Sequence, residues 1–164
     1  MANVQDVARL FIDIAQKQNE NYCGELMTDL RLQKLLYFAQ GWHLARFGTP
    51  LFSAPIKAWK YGPVVPEVYQ QYRENGNRGI TEDAPVEPSV FTEDEYTLLL
   101  DVFRAYDLYS TAKLVQLTHD ADSPWAHTQQ SATISEAEIL NYFKGKKPLA
   151  SFDDMLALLP VEEL

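Results

Sequence analysis

The sequence predicts a mainly α-helical bundle of about six to seven helices around a buried central helix at about 29–47, with a short extended or β segment near 56–61. Three observations predict it. Apolar residues recur at i, i+3, i+4 and i+7 along several stretches, which is the spacing of one helical face. The stretch 29–47 is apolar on nearly every side, as expected of a helix enclosed by its neighbours. Between Gly48 and Pro66, the residues Pro50, Pro55, Gly62 and Pro63 forbid a long helix, so the extended segment falls there.

Val4, Val7, Ala8, Phe11, Ile14 and Ala15 form one apolar stripe, and the helix they predict fades in the polar run 16–21. Thr28 or Asp29 can cap the second helix, which runs to Phe47 and is closed by Gly48. Within it Leu32, Leu35, Leu36, Tyr37, Phe38, Ala39, Trp42, Leu44, Ala45 and Phe47 leave no wide polar side, which makes it the central helix. Ile56–Tyr61 alternates apolar residues with lysines, and Tyr61-Gly62-Pro63-Val64-Val65-Pro66 reads as a chain reversal. Pro66 suits the first turn of a third helix through Tyr72, ended by Asn75-Gly76, and 77–89 reads as loop. Thr92-x-x-Glu95 is a capping box for a helix to about Tyr106, and Ser110 caps another to about His119. Ser123-Pro124-Trp125 opens a short helix, and Ser135-x-x-Glu138 reads as a second capping box ahead of Ile139, Leu140 and Phe143. A last short helix is predicted over Asp153–Leu159, stopping before Pro160. No repeat or linker divides the chain, so residues 1–164 are expected to form a single domain.

Fourteen Lys and Arg stand against 23 Asp and Glu, a net charge of −9. That balance argues against direct nucleic-acid binding and against docking on an anionic membrane, both of which need clustered cations. Acidic surfaces instead attract basic partners. A single cysteine, Cys23, permits no internal disulfide and no Cys-rich metal site. The start Met1-Ala2-Asn3-Val4-Gln5-Asp6 has neither the basic region nor the apolar core of a signal peptide. The apolar-rich stretch 35–47 falls short of the ~20 residues that a membrane span requires. A cytoplasmic protein is expected.

Chemistry-bearing residues are few. Lys34 starts on a largely apolar helix face, with Tyr37, Phe38, Gly41 and Ala45 around it. Its bland reading is a stem that snorkels to solvent or pairs with a carboxylate, and the other is a functional role. His43 reads as a hydrogen-bonded structural histidine. His119 with Asp120, Asp122 and His127 is the strongest enzyme candidate, because a histidine and a carboxylate can orient each other for general-base work. The spacing matches no standard metal motif, however, and no glycine-rich phosphate loop is present. Cys23 lacks an activating neighbour. No catalytic residue, cofactor or metal is expected. Of the many aromatics, Tyr61, Tyr69 and Tyr72 are placed outside the core, flanking or following the rigid Pro-rich turn, which can present rings at low entropic cost. The other reading of that turn is a purely structural one that docks the third helix.

Leu32-Gln33-Lys34-Leu35-Leu36-Tyr37-Phe38-Ala39-Gln40-Gly41-Trp42, then 48–52, then Ala58-Trp59-Lys60-Tyr61-Gly62-Pro63-Val64-Val65-Pro66-Glu67-Val68-Tyr69 resembles the Panacea domain, the SocA-like or GepA-like phage-associated family. In the second half Tyr106, Ser110, Leu114, Leu117-Thr118-His119 and Pro124-Trp125 resemble the family's closing motif. The resemblance runs from about Val4 to Phe143, and two ordered motifs some distance apart make it specific. It departs at Asp107, where family members commonly carry glycine.

The resemblance implies an antitoxin of a toxin–antitoxin pair, in the setting of phage defence, that neutralises a toxin encoded by an adjacent gene through direct protein contact. One relative acts instead as a proteolytic adaptor that delivers its toxin to a protease, which is the alternative here; a small enzyme using His119 is a further one. Some family members append further domains, for which this chain is expected to have no spare length. Lys34, Tyr61, Tyr69 and Tyr72 are the candidate partner-binding residues. Trp42, Trp59, Gly62, Pro63, His119 and Trp125 are motif residues expected to be structural. The toxin, its target and the stoichiometry stay open at this point.

Overall fold

A computed structural model describes residues 1–18, 25–81 and 85–150. Cys23, the fading end of the first helix beyond residue 18, and the helix expected at Asp153–Leu159 lie outside the described residues. The chain is mainly α-helical, with six helices among the described residues and a small antiparallel hairpin.

Helix α1 (Val4–Lys17) begins where the Asn3 side chain accepts the Gln5 amide at 2.8 Å, and it buries Val4, Val7, Ala8 and Phe11. Helix α2 (Asp29–Phe47) is capped by Thr28, whose hydroxyl accepts the Arg31 amide at 3.2 Å. It ends at Gly48, where φ of 76° gives the left-handed turn that glycine adopts without steric cost. Every residue from Arg31 to Leu44 is buried, so the helix is central as its composition predicts. Between Arg31 and Leu44 its polar side chains are not exposed, and two glutamines tie down the connector that follows. Gln40 Oε1 accepts the Leu51 amide at 2.7 Å, while its Nε2 donates to the Phe52 carbonyl at 2.9 Å. Gln33 Oε1 accepts the Val65 amide at 2.8 Å. A buried side-chain amide is tolerable only when its groups are paired in this way.

Strands β1 (Lys57–Trp59) and β2 (Gly62–Val64) pair antiparallel, with Lys57 opposite Val64, Ala58 opposite Pro63 and Trp59 opposite Gly62. This corrects the position of the reversal: Gly62 and Pro63 lie on the return strand, and the two-residue tip is Lys60-Tyr61. Pro63 is tolerable there because β2 is an edge strand, with no further strand on its outer side among the described residues. The other edge of β1 is met by residues 131–134: the Ser131 amide donates to the Ala58 carbonyl at 2.7 Å and the Ala58 amide donates to that of Ala132 at 2.9 Å. Helix α3 (Pro66–Tyr72) starts on Pro66 as predicted and passes into a 3₁₀ turn at Arg73–Asn75.

Helix α4 (Glu93–Tyr106) carries the predicted capping box in full, with both Thr92 and Glu95 reciprocating. Helix α5 (Thr111–Thr118) is capped by Ser110 and helix α6 (Glu136–Lys144) by Ser135. At Ser135 only the hydroxyl-to-amide half of the predicted box forms, at 3.3 Å to the Glu138 amide. The helix expected from Pro124 is a run of turns, in which Thr128 Oγ1 donates to the Pro124 carbonyl at 2.7 Å. That bond takes up an acceptor that a continuing helix would have used. Helix α2 touches α1, α3, α4, α5, α6 and β2. At α6 the approach is close: a Cβ added at Gly41 would overlap the Phe143 ring. The Arg31 guanidinium donates to the Tyr109 and Tyr106 carbonyls at 2.8 and 3.3 Å, supplying a cation at the α4 C-terminus. No helix of the described residues is long and apolar enough to cross a membrane.

Candidate functional site

The two sequence motifs and the central helix meet at the hairpin. Lys34, on α2, is fully buried, and its ammonium donates to the Pro63 carbonyl on β2 at 3.0 Å. Gly62 has φ of 112°, and a Cβ there would lie 2.8 Å from Thr118 Oγ1 and 3.1 Å from Lys34 Cε. Only glycine fits that conformation and that gap. Thr118 is itself held by its hydroxyl's bond to the Val115 carbonyl at 2.7 Å. The Trp125 indole N–H donates to the Trp59 carbonyl at 2.7 Å, and its ring stacks on His119 at 4.0 Å with 5° between planes. His119 also hydrogen-bonds the Tyr61 backbone, whereas its Nε2 has no hydrogen-bond partner among the described residues. Trp59 in turn meets Tyr69 edge-on at 5.0 Å. These contacts clamp the hairpin, while the Tyr61 ring at its tip stays exposed.

Electrostatics at the junction follow from burial. Desolvation brings the Lys34 ammonium down to about 7, with the nearby Asp29 carboxylate acting in the opposite direction. Asp29 is pushed up by its own burial, against a hydrogen bond from Gln33 Nε2 at 3.0 Å and the attraction of Lys34. His119 is pushed down, by desolvation first and by the Lys34 charge second. Both causes favour the neutral imidazole, the ring that stacks on Trp125.

Of the four residues expected at a binding surface, Tyr61 stands at the hairpin tip, 59% exposed, with the Lys60 ammonium 5.4 Å from its ring centre. Tyr69 is half-buried against Trp59. Tyr72 is not outside the core: it is buried, because it lies one turn beyond Val68 on the inward face of α3. Lys34 neither snorkels nor reaches the surface, since the hairpin closes over it. Trp42 is buried and donates to the Tyr106 hydroxyl at 2.8 Å, and His43 Nδ1 hydrogen-bonds the Thr49 carbonyl. Tyr106, deep beside Trp42, has its phenol pushed up to about 12 by burial.

The carboxylates near His119 do not converge on it. The Asp120 carboxylate accepts the Tyr142 hydroxyl at 3.3 Å, and Asp122 and His127 are exposed. Among the described residues no group of three or more His, Cys, Asp or Glu is placed to hold a metal. What the arrangement does offer is a rigid, projecting aromatic tip beside a cation, a combination suited to protein contact. His119 also lines a cleft of about 580 Å³ between α5, α6 and the end of α4, bordered by Tyr109, Lys113, Tyr142 and Lys146. Sequence reasoning passed over these last four. The available signal was the clustering of Lys144, Lys146 and Lys147 in an otherwise acidic chain.

Comparison with known proteins agrees with the motifs that meet here. The antitoxin SocA of Caulobacter vibrioides (strain NA1000 / CB15N) is 35% identical over 113 residues, which cover 60% of this chain and 58% of that protein. The chain thus spans less than two-thirds of the curated relative it matches. No solved structure matches it. The family model described as "Antitoxin SocA-like, Panacea domain" matches residues 32–126, more than half of the chain and the stretch that holds Lys34, the hairpin, His119 and Trp125. The chain belongs to the SocA-like Panacea antitoxin domain family.

Proposed function

We propose that this protein is the antitoxin of a toxin–antitoxin pair and neutralises a cognate toxin, encoded by an adjacent gene, by direct contact in the cytoplasm and without catalysis. Family membership carries the reading. The projecting Tyr61, held by a hairpin packed on Lys34, His119 and Trp125, supports direct contact as the means. A tyrosine fixed in this way offers large amphipathic area at little entropic cost, the character of an interface hot spot. In this reading Tyr61 and Tyr69 touch or adjoin the toxin, while Lys34 and Tyr72 act indirectly by holding the hairpin and α3 in place.

Co-expression with each flanking open reading frame is the test. One frame should be toxic alone and harmless beside this chain; if none behaves so, the reading fails. Tyr61→Ala should weaken rescue by at least about tenfold in the antitoxin dose required, the size of one lost hot spot. Its melting temperature should match that of the parent, because the ring is mostly exposed. The toxin's half-life should be unchanged by co-expression, whereas a protease-dependent fall would assign the adaptor mechanism instead.

A further inference from the structure

We propose that the cleft between α5, α6 and the end of α4 is a second docking site, shaped for a segment of the protein partner that carries carboxylates beside an aromatic or aliphatic side chain. The proposal rests on the antitoxin reading for the identity of that partner, but not for the chemistry of the site. The volume, about 580 Å³, suits two or three side chains. Its apolar wall is already in place: Phe38 and Tyr106 stack at 4.0 Å with 4° between planes, and Tyr142 meets Phe143 edge-on at 5.5 Å. An occupant therefore meets a rigid surface and orders little of it on binding. At the mouth Tyr109 and its neighbour Leu108 are 41% and 63% exposed, extending the apolar area beyond the cleft.

Charge selects the occupant. The chain has a net charge of −9, yet the cleft is bordered by two lysines and a single acid, Asp120. That acid is engaged by the Tyr142 hydroxyl at 3.3 Å. The Lys146 ammonium lies over the Tyr142 ring at 4.4 Å, and neither it nor Lys113 forms a salt bridge among the described residues. A carboxylate entering the cleft gains two cations, on a chain whose net charge of −9 disfavours it overall. Such a local inversion of sign fixes register and rejects misplaced partners, which is the larger part of what interface charges do. A nucleic-acid strand fits less well, because two cleft lysines neutralise few phosphates and the chain as a whole carries a net charge of −9.

The test uses the full chain, labelled with ¹⁵N and titrated with the peptide acetyl-Glu-Phe-Asp-Leu-amide. Acetyl-Lys-Phe-Lys-Leu-amide and the tetranucleotide dT4 serve as comparators. The acidic peptide should shift the amide signals of Tyr109, Lys113, His119 and Tyr142, and the double variant Lys113→Glu/Lys146→Glu should weaken it about tenfold or more. Both lysines are exposed, so the double variant should keep the parent's melting temperature. Absence of these shifts, equal shifts from the basic peptide, or stronger shifts from dT4 would overturn the proposal. In the co-expression assay the same variant should lose rescue; full rescue by it beside a rescuing parent would also overturn the proposal. A parent that binds the acidic peptide here yet rescues from no flanking toxin would sink the antitoxin reading and leave the cleft standing.

Discussion

Two regions share His119 and are built in opposite ways. On the hairpin side everything is closed: Lys34 is buried on the Pro63 carbonyl, Gly62 leaves no room for a side chain, and Trp125 is bonded to the Trp59 carbonyl. On the cleft side the aromatic wall is set but the lysines lack salt-bridge partners among the described residues, and Tyr109 and Leu108 face solvent. The closed region is built from residues of the family motif, while the open one adds residues outside it, such as Tyr142 and Lys146, to the motif residues Phe38, Tyr106 and His119. A motif can therefore mark where shape is made, with recognition carried by the surfaces that shape supports. Substitutions on the closed side should cost stability, and those on the open side should change binding at constant stability.

The largest effect expected is at Gly62. Gly62→Val should cost ~3 kcal/mol or more, since it adds strain at positive φ to a clash with Thr118, and the urea midpoint would register it. Gly48→Ala is the control. It shares a positive φ, 76°, but lies in the left-handed helical region that alanine can adopt, and nothing lies within 4 Å of the added Cβ, so the cost should be only about 1 kcal/mol. Equal losses at the two positions would deny the close packing of the hairpin on Thr118 and Lys34.

Next comes Lys34→Met, read against pH. The Lys34 ammonium titrates at about 7 in the folded chain and at 10.5 in the reference state, so between those values the unfolded chain binds the extra proton. Stability from this group therefore rises with pH across that window and is lost as pH falls through about 7. The parent should gain ~2 kcal/mol relative to Lys34→Met between pH 7 and 9, measured by urea unfolding at each pH. A difference independent of pH would place the ammonium in water rather than under the hairpin. The smallest effect is at Trp125→Phe. It keeps the ring against His119 but removes the donor to the Trp59 carbonyl, for a loss of about 1 kcal/mol in the same assay.

Much of the fold was legible because helix ends are local chemistry. Thr28, Thr92 with Glu95, and Ser110 each satisfy amides within three residues, so the sequence alone places them. Tyr72 was legible too, one turn beyond Val68, but its neighbourhood with Tyr61 and Tyr69 in the chain obscured the helical period. The hairpin tip was less so. Glycine and proline mark turns statistically, yet here Gly62 and Pro63 form the return strand because Gly62 must pass close to Thr118, fifty-six residues later in the chain.

By itself the sequence determined that the chain is a helical bundle, where its main helices begin and end, and that 29–47 lies at the centre. The tertiary structure alone decided what the polar groups of that central helix do. A helix with a clear apolar stripe tells each side chain which way it faces. One that is apolar on every side carries no such direction, so nothing in the periodicity distinguishes a Lys34 that reaches solvent from one that ends on the Pro63 carbonyl. That choice belongs to the neighbouring elements, because a buried ammonium is tolerable only where they bring it an acceptor.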